Sequence, residues 1–165
     1  PMAKLTKPMV NLINEQIQAE LESAYLYLAM SNYYTEKGFP GFGTWFKKQA
    51  EEEEEHAEKF IDYLHGNDEK VVLMDIKASK EEYKDLRTPL ASQYAHEQVV
   101  TSMIYKLMDL AIEEKDYRTQ EMLRWFVNEQ YEEEETARTL LEQYDFYGTD
   151  LAALMKLDHE LGERK

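Results

Sequence analysis

Trp45-Phe46-Lys47-Lys48-Gln49-Ala50-Glu51-Glu52-Glu53-Glu54-Glu55-His56-Ala57-Glu58-Lys59-Phe60 decides how the chain is read. As composition it is a charged run, and a charged run on a helix is usually a solvated face. At the period of a helix it carries a stripe instead: Phe46, Gln49, Glu53, His56, Phe60 and Tyr63, apolar at both ends and polar in the middle. Three other stretches repeat that pattern. One gives Ile13, Ile17, Glu20, Ala24 and Tyr27; another gives Leu90, Tyr94, Glu97, Thr101, Ile104 and Met108; the last gives Phe126, Gln130, Glu133, Ala137, Leu140 and Tyr144. Each stripe has a glutamate near its middle, and none carries a Lys or Arg.

These stretches are long, and the punctuation between them orders them. Helical periodicity runs from Lys7 to Glu36 and stops at Gly38-Phe39-Pro40-Gly41, a cluster of helix breakers. A second helix is expected from Phe42 to His65, before Gly66-Asn67. A third begins near Arg87 or Thr88, with Pro89 tolerated in its first turn, and ends near Lys115. A fourth has Asp116 as its N-cap and ends by Gly148. A short fifth follows Thr149 or Asp150, with Gly162 just past its end.

The first and second helices are joined by a few residues, as are the third and fourth, so each pair reads as an antiparallel hairpin. Residues 67–86, which include the apolar run Val71-Val72-Leu73-Met74, join the hairpins. Extended, that segment reaches about 60 Å, whereas a helix of this length spans about 42 Å. The link can run the whole bundle and leave the second and third helices parallel. The expected fold is all-α: a four-helix bundle over 7–148 with one long crossover, a short helix within 149–162 and an extension at 1–6, in a single domain.

Composition narrows the function. Lys and Arg total 19 against 34 Asp and Glu, a formal charge of −15. That balance repels nucleic acid and anionic membranes and draws cations. Cysteine is absent, which removes disulfides, thiolate metal sites and a cysteine nucleophile. No run of apolar residues is long enough to span a bilayer. PMAKLTKPMV has no apolar stretch of signal-peptide length, so the chain reads as cytoplasmic.

Four glutamates on inward stripes need compensation, because an unpaired buried charge costs several kcal/mol. Two divalent cations would balance Glu20, Glu53, Glu97 and Glu133, with His56 as a nitrogen donor and Gln130 as a neutral donor or a neighbour. Such a carboxylate-rich set with one imidazole suits iron or manganese better than structural zinc. Taken alone, Glu53-x-x-His56 is weak; the coincidence on four stripes carries the reading.

From Lys7 to Glu163 the sequence resembles the ferritins, specifically the bacterial non-haem ferritins. The resemblance rests on Glu20-x6-Tyr27-Leu28, on Gln49 through Ala57, on His96-Glu97, and on Trp125-Phe126-Val127-Asn128-Glu129-Gln130-Tyr131-Glu132-Glu133. It implies a ferroxidase that oxidises Fe(II) with O2 or H2O2 and stores ferric mineral in a cage of 24 copies, the fifth helix lining a symmetry axis. One iron position would use Glu20, Glu53 and His56. The second would use Glu53 as a bridge with Glu97 and Glu133, Gln130 lying close by. Tyr27 matches the family's tyrosine beside the centre. Glu52, Glu129 and Glu132 match a third iron site on the cavity side. Haem is not expected: Gln130-x-x-Glu133 stands where bacterioferritins carry a second Glu-x-x-His, and Glu54 stands where they place the haem methionine. Two other classes remain open, a diiron oxidase or peroxidase that stores nothing and an acidic helical scaffold.

Overall fold

Capping explains where most of the helices start. The structure, a computed structural model, describes residues 4–165. Thr6 caps α1 (Lys7–Glu36), its hydroxyl accepting the Met9 N–H. Asp116 caps α4 (Tyr117–Tyr147) through Thr119 N–H, and Asp150 caps α5 (Leu151–Leu161) through Ala153 N–H. Each is a short polar side chain meeting an orphan donor of a first turn. Between them stand α2 (Pro40–Gly66) and α3 (Arg87–Glu113). α2 starts two residues earlier than its spacing suggests: Pro40 is pre-set for the first helical position, so it opens the helix rather than breaking it. Phe39 provides no side-chain cap. The Asp158 carboxylate supplies one from α5, accepting Phe42 N–H at 2.8 Å.

The four long helices form a bundle with one long crossover, and α5 packs on α2 and α4. The expected extension at 1–6 is described only from Lys4 onward, its first three residues lying outside the described part. Within it, Leu5 is buried in the core, so residues 4–6 pack with the bundle. Residues 69–84 of the crossover form neither helix nor strand; the run Val71–Met74 is strand-like in composition only. Its backbone is held by side chains on one face of α1. Asn14 donates to Lys70 O (3.2 Å) and accepts from Val72 N–H (2.7 Å). Gln18 donates to Asp75 O, and Glu22 accepts Lys77 N–H. As α1 advances from 14 to 22 the crossover advances from 70 to 77, so the two run the same way and α3 returns parallel to α2.

The interior divides in two. Towards the start of α1 an aliphatic core gathers Met9, Ile13, Ile17, Leu64, Ile104, Leu107 and Leu123 around stacked Phe60 and Phe126, whose centroids lie 4.1 Å apart. At the far end, Tyr27, Tyr34, Phe42, Trp45, Phe46 and Leu157 build an aromatic core. The stripes read from the sequence lie inside except at the last residues on α2 and α4, Tyr63 and Tyr144, which are half-buried, and on α3, where Tyr94 and Met108 are half-buried while Gln93, Val100 and Leu107 are fully buried. On α3 the offset is one residue near both ends, so the whole stripe is rotated slightly about the helix axis. No described helix is long and apolar enough to cross a membrane.

Candidate metal centre

Between the two apolar cores lies a polar layer. Glu20, Glu53, Glu97 and Glu133, one from each long helix, are each at most 6% exposed, and His56 is 4% exposed. Their positions follow from the stripes, since each occupies the turn where an apolar side chain would otherwise fill the bundle. Two overlapping groups result. In one, ligand atoms of Glu20, Glu53 and His56 all lie within 4.8 Å of one another; in the other, those of Glu53, Glu97 and Glu133 do. Glu53 belongs to both.

His56 is aimed by its surroundings. Its Nδ1 lies 3.2 Å from Glu53 Oε2 and 3.6 Å from Glu20 Oε2. Its Nε2 faces outward, 3.9 Å from Glu129 Oε1, and Trp125 and Phe126 pack edge-on to the ring. A third group joins His56, Glu129 and Glu133.

Hydrogen bonds fix the carboxylates. Tyr27 O–H donates a very short bond to Glu97 Oε1. The Gln130 amide donates to Glu97 Oε2 (3.1 Å), to Glu97 O and to Thr101 Oγ1. Gln130 therefore meets the layer as a donor that holds Glu97. Two glutamines outside the expected site do the same work. Gln16 donates to Glu20 Oε1 at 3.0 Å, while Gln49 bridges Glu53 and Glu133 across two helices. Their signal was present in the sequence, a glutamine four residues before a stripe glutamate, one turn up the same face. His96, next to Glu97, stands outside the carboxylates with Nε2 2.7 Å from Ser23 Oγ and its ring edge-on to Tyr27.

Electrostatics separate the carboxylates. Burial pushes Glu53 well above the usual carboxylate range, and the neighbouring Glu20 and Glu97 charges add to it. Burial also raises Glu133 strongly, with Glu97 and Glu52 contributing. Glu97 is pushed up to about 7 by burial, although the Tyr27 and Gln130 bonds favour its charge. Glu20 goes the other way: burial opposes ionisation, but contact with His56 and hydrogen bonds from Glu53 and Gln16 outweigh it. His56 is raised, the loss of solvent being overcome by Glu20 and the other acids. Burial holds Tyr27 well above its ordinary value, so it remains a phenol.

The donor set fits a pair of divalent cations. One buried oxygen of the set, Glu20 Oε2, has no hydrogen-bond partner and faces the His56 ring at 3.6 Å, which leaves it free to take a cation. Hard oxygen donors with a single imidazole match the preferences of iron or manganese. The remaining expected residues are spread further. Glu52 and Glu129 are half-buried and Glu132 is exposed; Glu52 pairs with Arg164 at 3.0 Å. Among the described residues these three do not converge on one point as the layer does.

Comparison with known proteins agrees with this architecture. Residues 10–146 match the family model described as a ferritin-like domain. The chain is 36% identical to a probable bacterial non-heme ferritin-like protein of Haemophilus influenzae, covering 96% of each. It is 38% identical to the bacterial non-heme ferritin of Campylobacter jejuni, over 87% of this chain and 86% of the other. Among solved structures, the open-pore ferritin of Archaeoglobus fulgidus superposes with a TM-score of 0.96 at 37% identity, over 98% of this chain and all of that one.

Proposed function

The chain belongs to the ferritin family, and on that premise we propose that it oxidises Fe(II) at the carboxylate layer and stores the ferric product inside an assembly of its own copies. Family membership supports iron storage; the chemistry at the layer is the reading that the side chains favour. The observation that carries it is the sharing of Glu53 by two groups of ligand atoms. One Fe(II) sits among Glu20, Glu53 and His56, the other among Glu53, Glu97 and Glu133, and two dications balance four carboxylates.

Each residue then has a task. Glu53 bridges and fixes the separation, so both irons can give one electron each to one molecule of O2 or H2O2, catalysis by positioning. Carboxylate oxygens stabilise Fe(III) over Fe(II), which lowers the barrier to giving up the electron. Tyr27 and Gln130 hold Glu97, and Gln49 ties Glu53 to Glu133. Because Glu53, Glu97 and Glu133 hold protons more tightly than free carboxylates do, binding of iron expels protons. The negative exterior concentrates Fe(II) near its entry. Glu52, Glu129 and Glu132 form the acidic face past which ferric product leaves. The assembly is a homo-oligomer, by family a shell of 24 copies, working in the cytoplasm without haem, nucleic acid or membrane as a partner.

Aerobic Fe(II) added to the metal-free protein, followed by size exclusion with iron detection, tests the reading. Oxidation faster than in buffer, with far more than two or three irons per chain travelling with a very large species, is the expected result. A small species holding two irons would mean a diiron oxidase that stores nothing. No retained iron would leave an acidic scaffold.

A further inference from the structure

Arg164 lies far from the layer in sequence, and three contacts immobilise it. Its Nη2 is 3.0 Å from Glu52 Oε1, its Nη1 donates to Trp45 O at 3.0 Å, and its guanidinium lies over the Trp45 ring, 4.5 Å from the centroid. The side chain is only 19% exposed. A guanidinium stacked and hydrogen-bonded in this way has already given up its rotamer freedom, so its ion pair is firmer than an ordinary surface pair. The backbone beneath it is fixed as well. The end of α5 packs directly on the start of α2, where a Cβ on Gly41 would fall 1.6 Å from Asp158 O, and one on Gly162 would fall 3.2 Å from Gly41 Cα. Asp158 caps α2 at the same junction. The turn just past α5 therefore delivers one cation to one carboxylate of the acidic face, and that carboxylate is close enough to raise the pKa of Glu133.

We propose that Arg164 is a positioning residue that stands in for a metal cation at Glu52, so that iron leaving the layer must compete with a guanidinium for that carboxylate. The inference rests on the reading of Glu52 as a carboxylate on the outward path of iron. It gives α5 a task inside its own subunit: holding the third cation position weaker than the two in the layer, so that iron stays until it is oxidised. Simple stapling of α5 to α2 is the other role such an arginine could have, and the two differ in what they predict for a lysine. Lysine keeps the charge and loses the planar stack and the forked hydrogen bonds.

The test is anaerobic Fe(II) titration of the metal-free assembly by calorimetry, for the wild type, Arg164→Gln, Arg164→Lys and the double variant Arg164→Gln/Glu52→Gln, with thermal melting alongside. Wild type should bind two ions tightly per chain and a third more weakly. Arg164→Gln should tighten the third by about fivefold, the size of a partly exposed ion pair, with the first two unchanged. Arg164→Lys should return the third site towards wild type even if melting falls, and the double variant should lose the gain. A third site unaffected by Arg164→Gln, or a gain that survives Glu52→Gln, overturns the proposal while leaving the ferroxidase reading intact. Absence of the two tight sites from the wild type would overturn the ferroxidase reading itself.

Discussion

Phe60 and Glu53 project from the same face of α2, two turns apart, and both are sealed from solvent. Phe60 stacks on Phe126 of α4, and Glu53 shares Gln49 with Glu133 of α4. The two pairs are similarly buried and have opposite energetic effects. The phenylalanines stabilise the bundle by removing apolar area from water. The glutamates cost stability, and their raised pKa values express that cost as retained protons. On the proposed reading the bundle carries the band of acids for the metal it binds, and the two apolar cores offset the expense.

Variants in each region sharpen the contrast. Phe60→Ala should have the largest effect on folding, destabilising the chain by about 3–5 kcal/mol in chemical denaturation while the folded fraction keeps its iron stoichiometry. A loss of metal sites at equal folded fraction would mean that the two regions are not separable. Glu53→Gln should do the reverse. Two-metal binding should weaken by about 100-fold or more, read by titration, and the metal-free protein should melt no lower than wild type, because a buried carboxyl has been replaced by a neutral group of the same shape. A markedly lower melting temperature would show that the carboxylate contributes to packing.

Tyr27→Phe keeps the ring in the aromatic core and removes one donor to Glu97. About tenfold weaker binding at the position that includes Glu97 is expected, with little change at Glu20 and His56. Equal weakening at both positions would mean that Tyr27 orders the layer as a whole.

The smallest effect is in pH. Glu53, Glu97, Glu133 and His56 all have folded pKa values above their ordinary ones. The stability they contribute is present below the unfolded values and is lost as pH rises through the folded ones. Glu20 is lowered and acts in the opposite sense. Melting of the metal-free protein should therefore fall as pH rises from 4.5 to about 7, and bound metal, which removes those protons, should flatten the slope. A metal-free melting temperature rising across that window would contradict the stated pKa directions.

The four long helices, the hairpin pairing, the crossover and the carboxylate layer were legible because helical periodicity and burial share one cause. A residue recurring at the helical repeat faces the same way each turn, so Glu20, Glu53 and Glu133 could be placed inside from spacing alone. The phase of α3 was harder to see: Gln93 and Leu107 take the buried places expected for Tyr94 and Met108, a rotation of less than one residue that is the same at both ends of the helix and is set by how it packs. Pro40 was read as a stop when it is a start, a difference decided by which neighbour supplies the cap.

The sequence by itself determined the fold class, the helix order and which carboxylates meet, since all of these follow from local period and chain reach. Tertiary structure alone decided what those carboxylates touch. That Gln130 offers its amide donors to Glu97, that Gln49 spans two helices, that Asn14 holds the crossover and that Arg164 reaches Glu52 are contacts between residues 33 to 112 positions apart. No local pattern encodes them, because a hydrogen bond depends on the ångström and the angle at which helices meet, and those are set only when the whole bundle packs.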